Sequence, residues 1–477
     1  MKTVVVIGGG ISGLAAALRL VEFREKHGGA FDVRLLEASA RLGGVIQSKH
    51  RDGFLLESGP DSFISEKPEA IELIKRLGLE SHLIETNKAH RRSFIVRNGK
   101  LCPVPEGFQL LAPSRFWPFV TSDIFSWMGK ARMAMDLLLP RGNTNGHADE
   151  TLAQFVRRRF GQEALERMAQ PMIGGIYTAD PERLSLRATM PRFLEMENKD
   201  RSVILAMWKS ARRQNKVETG STSGARYSLF LSLDHGMQML VERLAAKLPV
   251  ASIQLNSPVE SLSYHQSSTQ WCLRVTRGDS INADALCLAI PSFAAAQLLR
   301  ETDVKLVEEL QGIEYASSAT VNLAYKREDI PHALDGFGFV VPLLEKRTII
   351  ACTFSSVKFS SRAPAGRVLL RAFVGGALQP EMFDLEETEM IDRVRTDLRE
   401  FLGIEKPPLF AELKKWSNSM PQYHIGHLER VKRIKERLNL LPGLTLAGNA
   451  YAGPGIPDCI RSGETAADQL VKSFPKH

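Results

Sequence analysis

The run Thr3-Val4-Val5-Val6-Ile7 leads directly into Gly8-Gly9-Gly10-Ile11-Ser12-Gly13. Four consecutive β-branched residues after Thr3, stopped by glycine, read as a buried parallel strand. Leu14 to Lys26 is rich in Ala, Leu, Arg and Glu and reads as a helix that Gly28-Gly29 ends. Val33 to Glu37 is the second strand. This β-α-β order gives the G-x-G-x-x-G run its meaning. Gly8 permits the tight turn, Gly10 lets backbone approach a pyrophosphate, and Gly13 lets the helix lie close to the strand. The helix N-terminus then faces the phosphates. Glu37, 24 residues after Gly13, suits a ribose 2′-hydroxyl and would repel a 2′-phosphate. The reading is an α/β dinucleotide fold for FAD or NAD rather than NADP.

With 477 residues, and about 100–200 residues per domain, the chain holds two to four domains. Hydrophobic residues make up 44%, an ordinary globular value that excludes disorder, collagen and small disulfide scaffolds. Net charge is +8, from 62 basic and 54 acidic residues, and favours anionic ligands. The charge is dispersed and matches no nucleic-acid motif, so nucleic acid is not an expected partner. Five scattered cysteines (Cys102, Cys272, Cys287, Cys352, Cys459) fit a reducing compartment and no structural zinc. No secretory signal or spanning segment is read, so the expected location is the cytoplasm.

Further along, residues 151–169 and 228–248 read as amphipathic helices and 210–226 as a polar loop. Residues 252–290 and 316–376 are strand-rich, and 443–473 read as strand, glycine loop and helix. Residues 108–140 hold five Phe or Trp between Phe116 and Trp127, beside Arg115, Lys130 and Arg132. They suit an interfacial face, a buried helical subdomain or a dimer contact. Arg157-Arg158-Arg159 reads as a solvated helix face. His424 and His427 read as a structural pair, not a metal site, and Cys459 as a packed thiol.

Arg41-Leu42-Gly43-Gly44, shortly after Glu37, resembles the flavoprotein family of monoamine oxidases, phytoene desaturases and porphyrinogen oxidases, where this element wraps the FAD pyrophosphate and isoalloxazine. No second G-x-G-x-x-G occurs, so no NAD(P)H site is expected. Gly59-Pro60-Asp61-Ser62-Phe63, Gly174-Gly175-Ile176-Tyr177, Gly336-Phe337-Gly338-Phe339, Met420-Pro421-Gln422-Tyr423 with Gly426-His427, and Gly448-Asn449-Ala450-Tyr451 through Ile460 narrow the likeness. Together they resemble the protoporphyrinogen/coproporphyrinogen oxidases of haem biosynthesis along almost the whole chain.

The resemblance implies an amine-oxidase-like fold: α/β in a Rossmann-type FAD-binding domain (1–85, 228–292, 412–477), α+β elsewhere. It also implies a substrate-binding domain (86–106, 293–411) and a helical membrane-associated domain (107–227). Non-covalent FAD would be held by Gly8, Gly9, Gly10, Ile11, Ser12, Gly13, Glu37, Arg41, Gly43, Gly44, Gly59, Pro60, Asp61, Ser62, Val259 (backbone to adenine), Gly448, Pro454, Gly455 and Ile456, with Trp416 against the flavin. The family removes six electrons and six protons from a porphyrinogen in three rounds, with oxygen as acceptor and hydrogen peroxide as product. It needs orientation over flavin N5 more than a general base, and no acid–base residue is assigned.

The family pocket maps onto Gly175 (carbonyl towards pyrrole N–H), Val340, Thr353 and Phe373. Protoporphyrinogen-type members place an Arg where Ser93 stands here, although Arg91 and Arg92 lie just upstream. Ser93, with a cation at Lys67 for extra carboxylates, resembles Gram-positive members and favours coproporphyrinogen III over protoporphyrinogen IX. The family traits add peripheral contact with the inner membrane face, and a homodimer would be compatible with them. Two alternatives stay open: another flavoenzyme of the wider family, such as an amine oxidase or carotenoid desaturase, and a non-catalytic escort or porphyrin carrier.

Overall fold

The computed structural model describes residues 2–28, 31–142, 149–215, 230–276 and 279–473. Five parallel strands form the first sheet, in the order Ile253–Gln254, Phe31–Leu36, Lys2–Ile7, Ala285–Leu288, Leu444–Leu446. Val4, Val5 and Val6 are fully buried, as a central strand covered on both faces requires. Helix Ile11–His27 shares one core with Leu240, Val241 and the C-terminal helix Ile456–Ser473. Gly28 ends the first helix in the left-handed conformation, its N–H donating to Arg24 O. A three-stranded antiparallel sheet (Val259–His265, Gln270–Val275, Ser280–Ala283) covers the other face. The α/β reading of this domain holds.

A seven-stranded mixed sheet follows the order Phe410–Pro421, Tyr315–Lys326, Arg367–Gly375, Ile349–Phe354, Gly338–Val340, Phe94–Arg97, Lys100–Pro103. Helix Glu387–Leu402 buries one face through Met390, Val394 and Leu398 against Phe339, Phe354 and Leu370. Two predicted domain edges move. Phe410–Pro421 belongs to this sheet by its pairing with Tyr315–Lys326, not to the dinucleotide domain from 412. Helices Ser292–Leu298 and Val304–Gln311 join the core of the parallel sheet, not the substrate region, because Leu306 and Leu310 pack with Leu286 and Leu288.

Residues 108–142 and 149–207 form a helical body around Phe155, Phe160 and Phe193. Residues 210–215 complete helix Val203–Asn215, where a loop was expected; 216–226 lie outside the described residues. The expected helix over 228–248 is instead strand Phe230–Leu233 followed by helix Gln238–Ala246, since pairing with Leu83–Glu85 extends the first half.

The arginine run is not a solvated face. Arg159 is fully buried, donating through Nε to Asp136 Oδ1 at 2.5 Å and to the carbonyls of Pro140, Asp136 and Arg201. Arg158 spans Glu150 and Glu197, and Arg157 pairs with Glu182. Removing one partner strands a buried charge. Arg159→Met leaves Asp136 buried without its cation, so it should destabilise the chain by about 3–5 kcal/mol. Arg157→Met, at a partly exposed pair, should cost no more than about 1 kcal/mol. Urea titration followed by circular dichroism distinguishes them.

Candidate functional site

Two glycine turns meet at the end of strand Lys2–Ile7. Gly8 has φ +107°, and a Cβ there would lie 2.4 Å from Ala289 O. A Cβ on Gly13 would lie 1.8 Å from Gly8 O, so the close helix–strand approach is real. Gly10 differs: an added Cβ would meet nothing within 4 Å, and its φ of −71° suits any residue. Gly10 is also the N-cap of a helix with no side-chain cap, so Ile11, Ser12 and the first N–H groups remain available to an anion. Gly43 N–H donates to Gly9 O at 2.8 Å, which brings the Arg41–Gly44 element onto the first turn. Arg41 folds back on its own loop, donating to the carbonyls of Leu42, Ile46 and Gly44. Burial lowers its pKa below the ordinary guanidinium value.

Glu37 is held at both oxygens, by Gly9 N–H at 2.6 Å and Ser39 N–H at 2.8 Å. Its backbone bonds Gln254 O and accepts from Ser257 N–H, which sets the strand containing Val259 beside it. The C-terminal element closes the other side. Gly448 (φ +137°) also leaves open space where a Cβ would stand, and its N–H donates to Ser462 Oγ. Tyr423 donates to Asn449 O and accepts from Gly453 N–H, pinning the loop before Pro454, Gly455 and Ile456. Two open glycine faces beside a bare helix N-terminus fit a pyrophosphate-bearing cofactor.

Between the two sheets lies the segment Glu57–Ser62. A Cβ on Gly59 would lie 1.7 Å from Val45 O, so the chain threads tightly there. Four side chains of the seven-stranded sheet reach its carbonyls: Thr320 Oγ1 and Trp416 Nε1 donate to Ser58 O at 2.9 and 2.8 Å, Asn322 to Glu57 O, and Arg371 to Gly59 O. Next to Pro60, Asp61 accepts from Ser62 Oγ and Lys358 Nζ. Burial alone would raise its carboxyl, yet the Lys358 and Arg371 cations hold it well below the usual carboxylate range. Sequence reasoning missed Lys358 and Arg371. A lone Arg inside the apolar run Val368–Val374 is the one signal that could have flagged the second.

The same sheet face carries the predicted pocket. Val340, Ala351 and Phe373 stand opposite one another across three strands, with Thr353 one pleat away beside Gly338. Gly175, in the last turn of helix Gln170–Tyr177, faces them: a Cβ on it would meet Val340 Cγ1 at 3.4 Å. Two predicted carboxylate anchors are already engaged. Lys67 Nζ lies 2.5 Å from Asp458 Oδ2, so it braces the C-terminal helix rather than standing free at a rim. Arg92 pairs with Asp335, through both its carboxylate and its carbonyl, just before Ser93. Cys459 is buried and its thiol is pushed up to about 12, so no thiolate forms at the loop. His427 stacks on Tyr423 at 4.1 Å, and burial pushes it down to about 4.

The sequence profile described as flavin containing amine oxidoreductase matches residues 11–471. The chain is 37% identical to a coproporphyrinogen III oxidase of Bacillus subtilis (strain 168), over 99% of both chains. It is 32% identical to one of Staphylococcus aureus, over 98% of this chain and 99% of that protein. A chloroplastic protoporphyrinogen oxidase of Nicotiana tabacum is 28% identical over 98% of this chain and 85% of its own length. A crystal structure from Exiguobacterium sp. 255-15 superposes with a TM-score of 0.87 at 31% identity, covering 99% of each chain.

Two outcomes test this geometry. Gly10→Ala should leave the apoprotein's melting unchanged, because nothing is near the new methyl, while weakening flavin retention. Gly10→Glu should abolish retention, read as loss of the visible flavin absorbance after gel filtration; stoichiometric flavin in the Glu variant would refute the cradle. The second concerns Glu57, which burial pushes up to about 7 despite bonds from Met237 N–H and Ser48 Oγ and the nearby Arg362. The folded chain therefore keeps a proton that the unfolded chain releases near 4.5. This contribution to stability is present in full below the unfolded pKa and is lost as pH rises through the folded one. Melting curves should show wild type losing stability relative to Glu57→Gln between about pH 5 and pH 8.

Proposed function

Because the chain belongs to the family of flavin containing amine oxidoreductases, we propose that it is an FAD-dependent porphyrinogen oxidase that converts coproporphyrinogen III to coproporphyrin III. The observation that carries this reading is end-to-end similarity to bacterial enzymes named for that substrate, together with a matching cradle and apolar sheet face. When bound, non-covalent FAD supplies a two-electron acceptor that oxygen regenerates with release of hydrogen peroxide. The chain's own residues bind and orient. The Gly8–Gly13 and Gly43–Gly44 turns would hold the pyrophosphate, Glu37 would take a ribose hydroxyl, and Trp416 and Gly59–Ser62 would back the ring. Val340 and Phe373 offer apolar contact to a macrocycle face and exclude water. Gly175 lies where helix carbonyls lack in-helix partners, and its carbonyl is assigned to a pyrrole N–H. Thr353 sits at the edge of the same surface.

With Lys67 and Arg92 engaged, Lys414 is the better anchor for a substrate carboxylate. Lys414, Thr320 and Phe373 stand opposite one another on neighbouring strands and therefore share one sheet face, with Thr320 between them buried on Ser58 O. Two strand spacings put Lys414 about 10 Å from Phe373. Its ammonium lies 5.0 Å over the Trp416 ring, and among the described residues no carboxylate pairs with it.

The helical region supports a peripheral membrane role on the cytoplasmic side. Trp117, Trp127 and Met128 are 73%, 72% and 84% exposed, with Phe116 beside them. Not every cation expected there faces outward: Lys130 donates to Val120 O and Arg132 to the carbonyls of residues 157–159. Among the described residues no helix is long and apolar enough to cross a membrane.

In air, with equal concentrations of coproporphyrinogen III and protoporphyrinogen IX, porphyrin fluorescence should rise faster for the four-carboxylate substrate. Lys414→Gln should raise KM for it several-fold, matching loss of a partly exposed charge pair of about 1 kcal/mol, with a smaller effect on the two-carboxylate substrate. A clear preference for protoporphyrinogen would refute the substrate assignment.

A further inference from the structure

We propose that His82, Asp234 and His235 form a binding site for a divalent transition-metal ion of the zinc type. No sequence spacing announces it, because the partners are 152 residues apart. Strand register creates it. Leu233 pairs with Leu83 in an antiparallel ladder, so the residue after one strand opposes the residue before the other. Asp234 N–H donates to His82 O at 3.0 Å and fixes that opposition.

The side chains converge on one point. His82 Nδ1 lies 3.1 and 3.2 Å from the two Asp234 oxygens, and His235 Nε2 lies 3.9 Å from Oδ2. One donor atom from each residue lies within 4.8 Å of the others, and the imidazole centroids are 5.8 Å apart. Zinc bonds of about 2.0–2.1 Å in a tetrahedron bring ligand atoms to about 3.3 Å. Small side-chain rotations close the remaining gap, and both rings have the solvent exposure to make them.

The carboxylate is already oriented, since Asp234 Oδ1 accepts from His235 N–H at 2.8 Å. Two imidazoles and one carboxylate suit zinc, cobalt or nickel better than magnesium or calcium, which prefer oxygen donors. Three protein ligands leave a position for water. The nearest buried cation, Arg362, stays behind the backbone: it donates to Asp234 O, Leu233 O and Ser232 Oγ and faces Glu57. Ser232 Oγ in turn donates to Asp61 O. An ion at this corner therefore braces the strand end that supports the Asp61 segment.

The test uses untagged holoenzyme, stripped with chelator and equilibrated with Zn²⁺ or Co²⁺ at micromolar concentration. One ion per chain is expected, with ligand-field bands of Co²⁺ in the difference spectrum and a higher melting temperature at saturating zinc. His235→Ala, whose ring is exposed, should fold and keep its flavin. Its affinity should fall by at least about tenfold, the loss that even an outer partner of a metal site causes. The His82→Ala/His235→Ala double variant should take up no ion. Undiminished uptake by the double variant, or none by wild type, would overturn the proposal.

Discussion

The segment Glu57–Ser62 is the joint on which the two sheets depend. Its start is still paired, Glu57 opposite Ser48 and Ser58 N–H on Gln47 O, and its carbonyls are then taken by Thr320, Asn322, Arg371 and Trp416 of the other sheet. Buried carbonyls without partners are costly. Those four donors therefore fix the relative position of the cradle and the apolar face. The charges follow from the same burial. Arg371 inside the sheet needs an anion, and Asp61, which it shares with Lys358, supplies it. Glu57, with Arg362 only at 3.8 Å, stays closer to neutral.

Geometry of this kind explains why so many glycines cannot be exchanged for different reasons. Gly13, Gly59 and Gly463 sit against backbone, the last with a would-be Cβ 2.1 Å from Ser12 O where the C-terminal helix crosses the first. Gly10 and Gly448 sit against space. The first set holds the fold together and the second leaves room for what the fold binds.

Local chemistry made the dinucleotide half legible in the sequence. Continuous β-branched residues, the glycine fingerprint and Glu37 all lie within one β-α-β unit, and each has a short-range physical meaning. The C-terminal glycine loop was legible for the same reason. The inserted regions were not. Arg159 looked like one of three surface arginines because its partner Asp136 is contributed by another helix turn. Residues 228–248 carry helical periodicity, but tertiary pairing with Leu83–Glu85 made the first part a strand. Lys67 read as a free cation because Asp458 is 391 residues away. Likeness to a family supplied the pocket residues, and the sheet register then put Val340 and Phe373 on one face, with Gly175 opposite.

The pairing of Lys67 also changes what the C-terminal helix can do. Asp458 lies in the first turn, where a carboxylate would normally cancel the positive end of the helix dipole. Here Lys67 and Arg461 both bond Asp458, and Arg461 also bonds Glu69. Two cations and two anions sum to zero. The Asp458 charge is thus absorbed locally, and the helix dipole remains the net positive feature at that end. Under the proposed function that is the feature needed: a helix N-terminus would stabilise negative charge on a bound flavin without a titrating side chain. Lys67 then acts on the cofactor through Asp458 and the helix, not on the substrate's carboxylates.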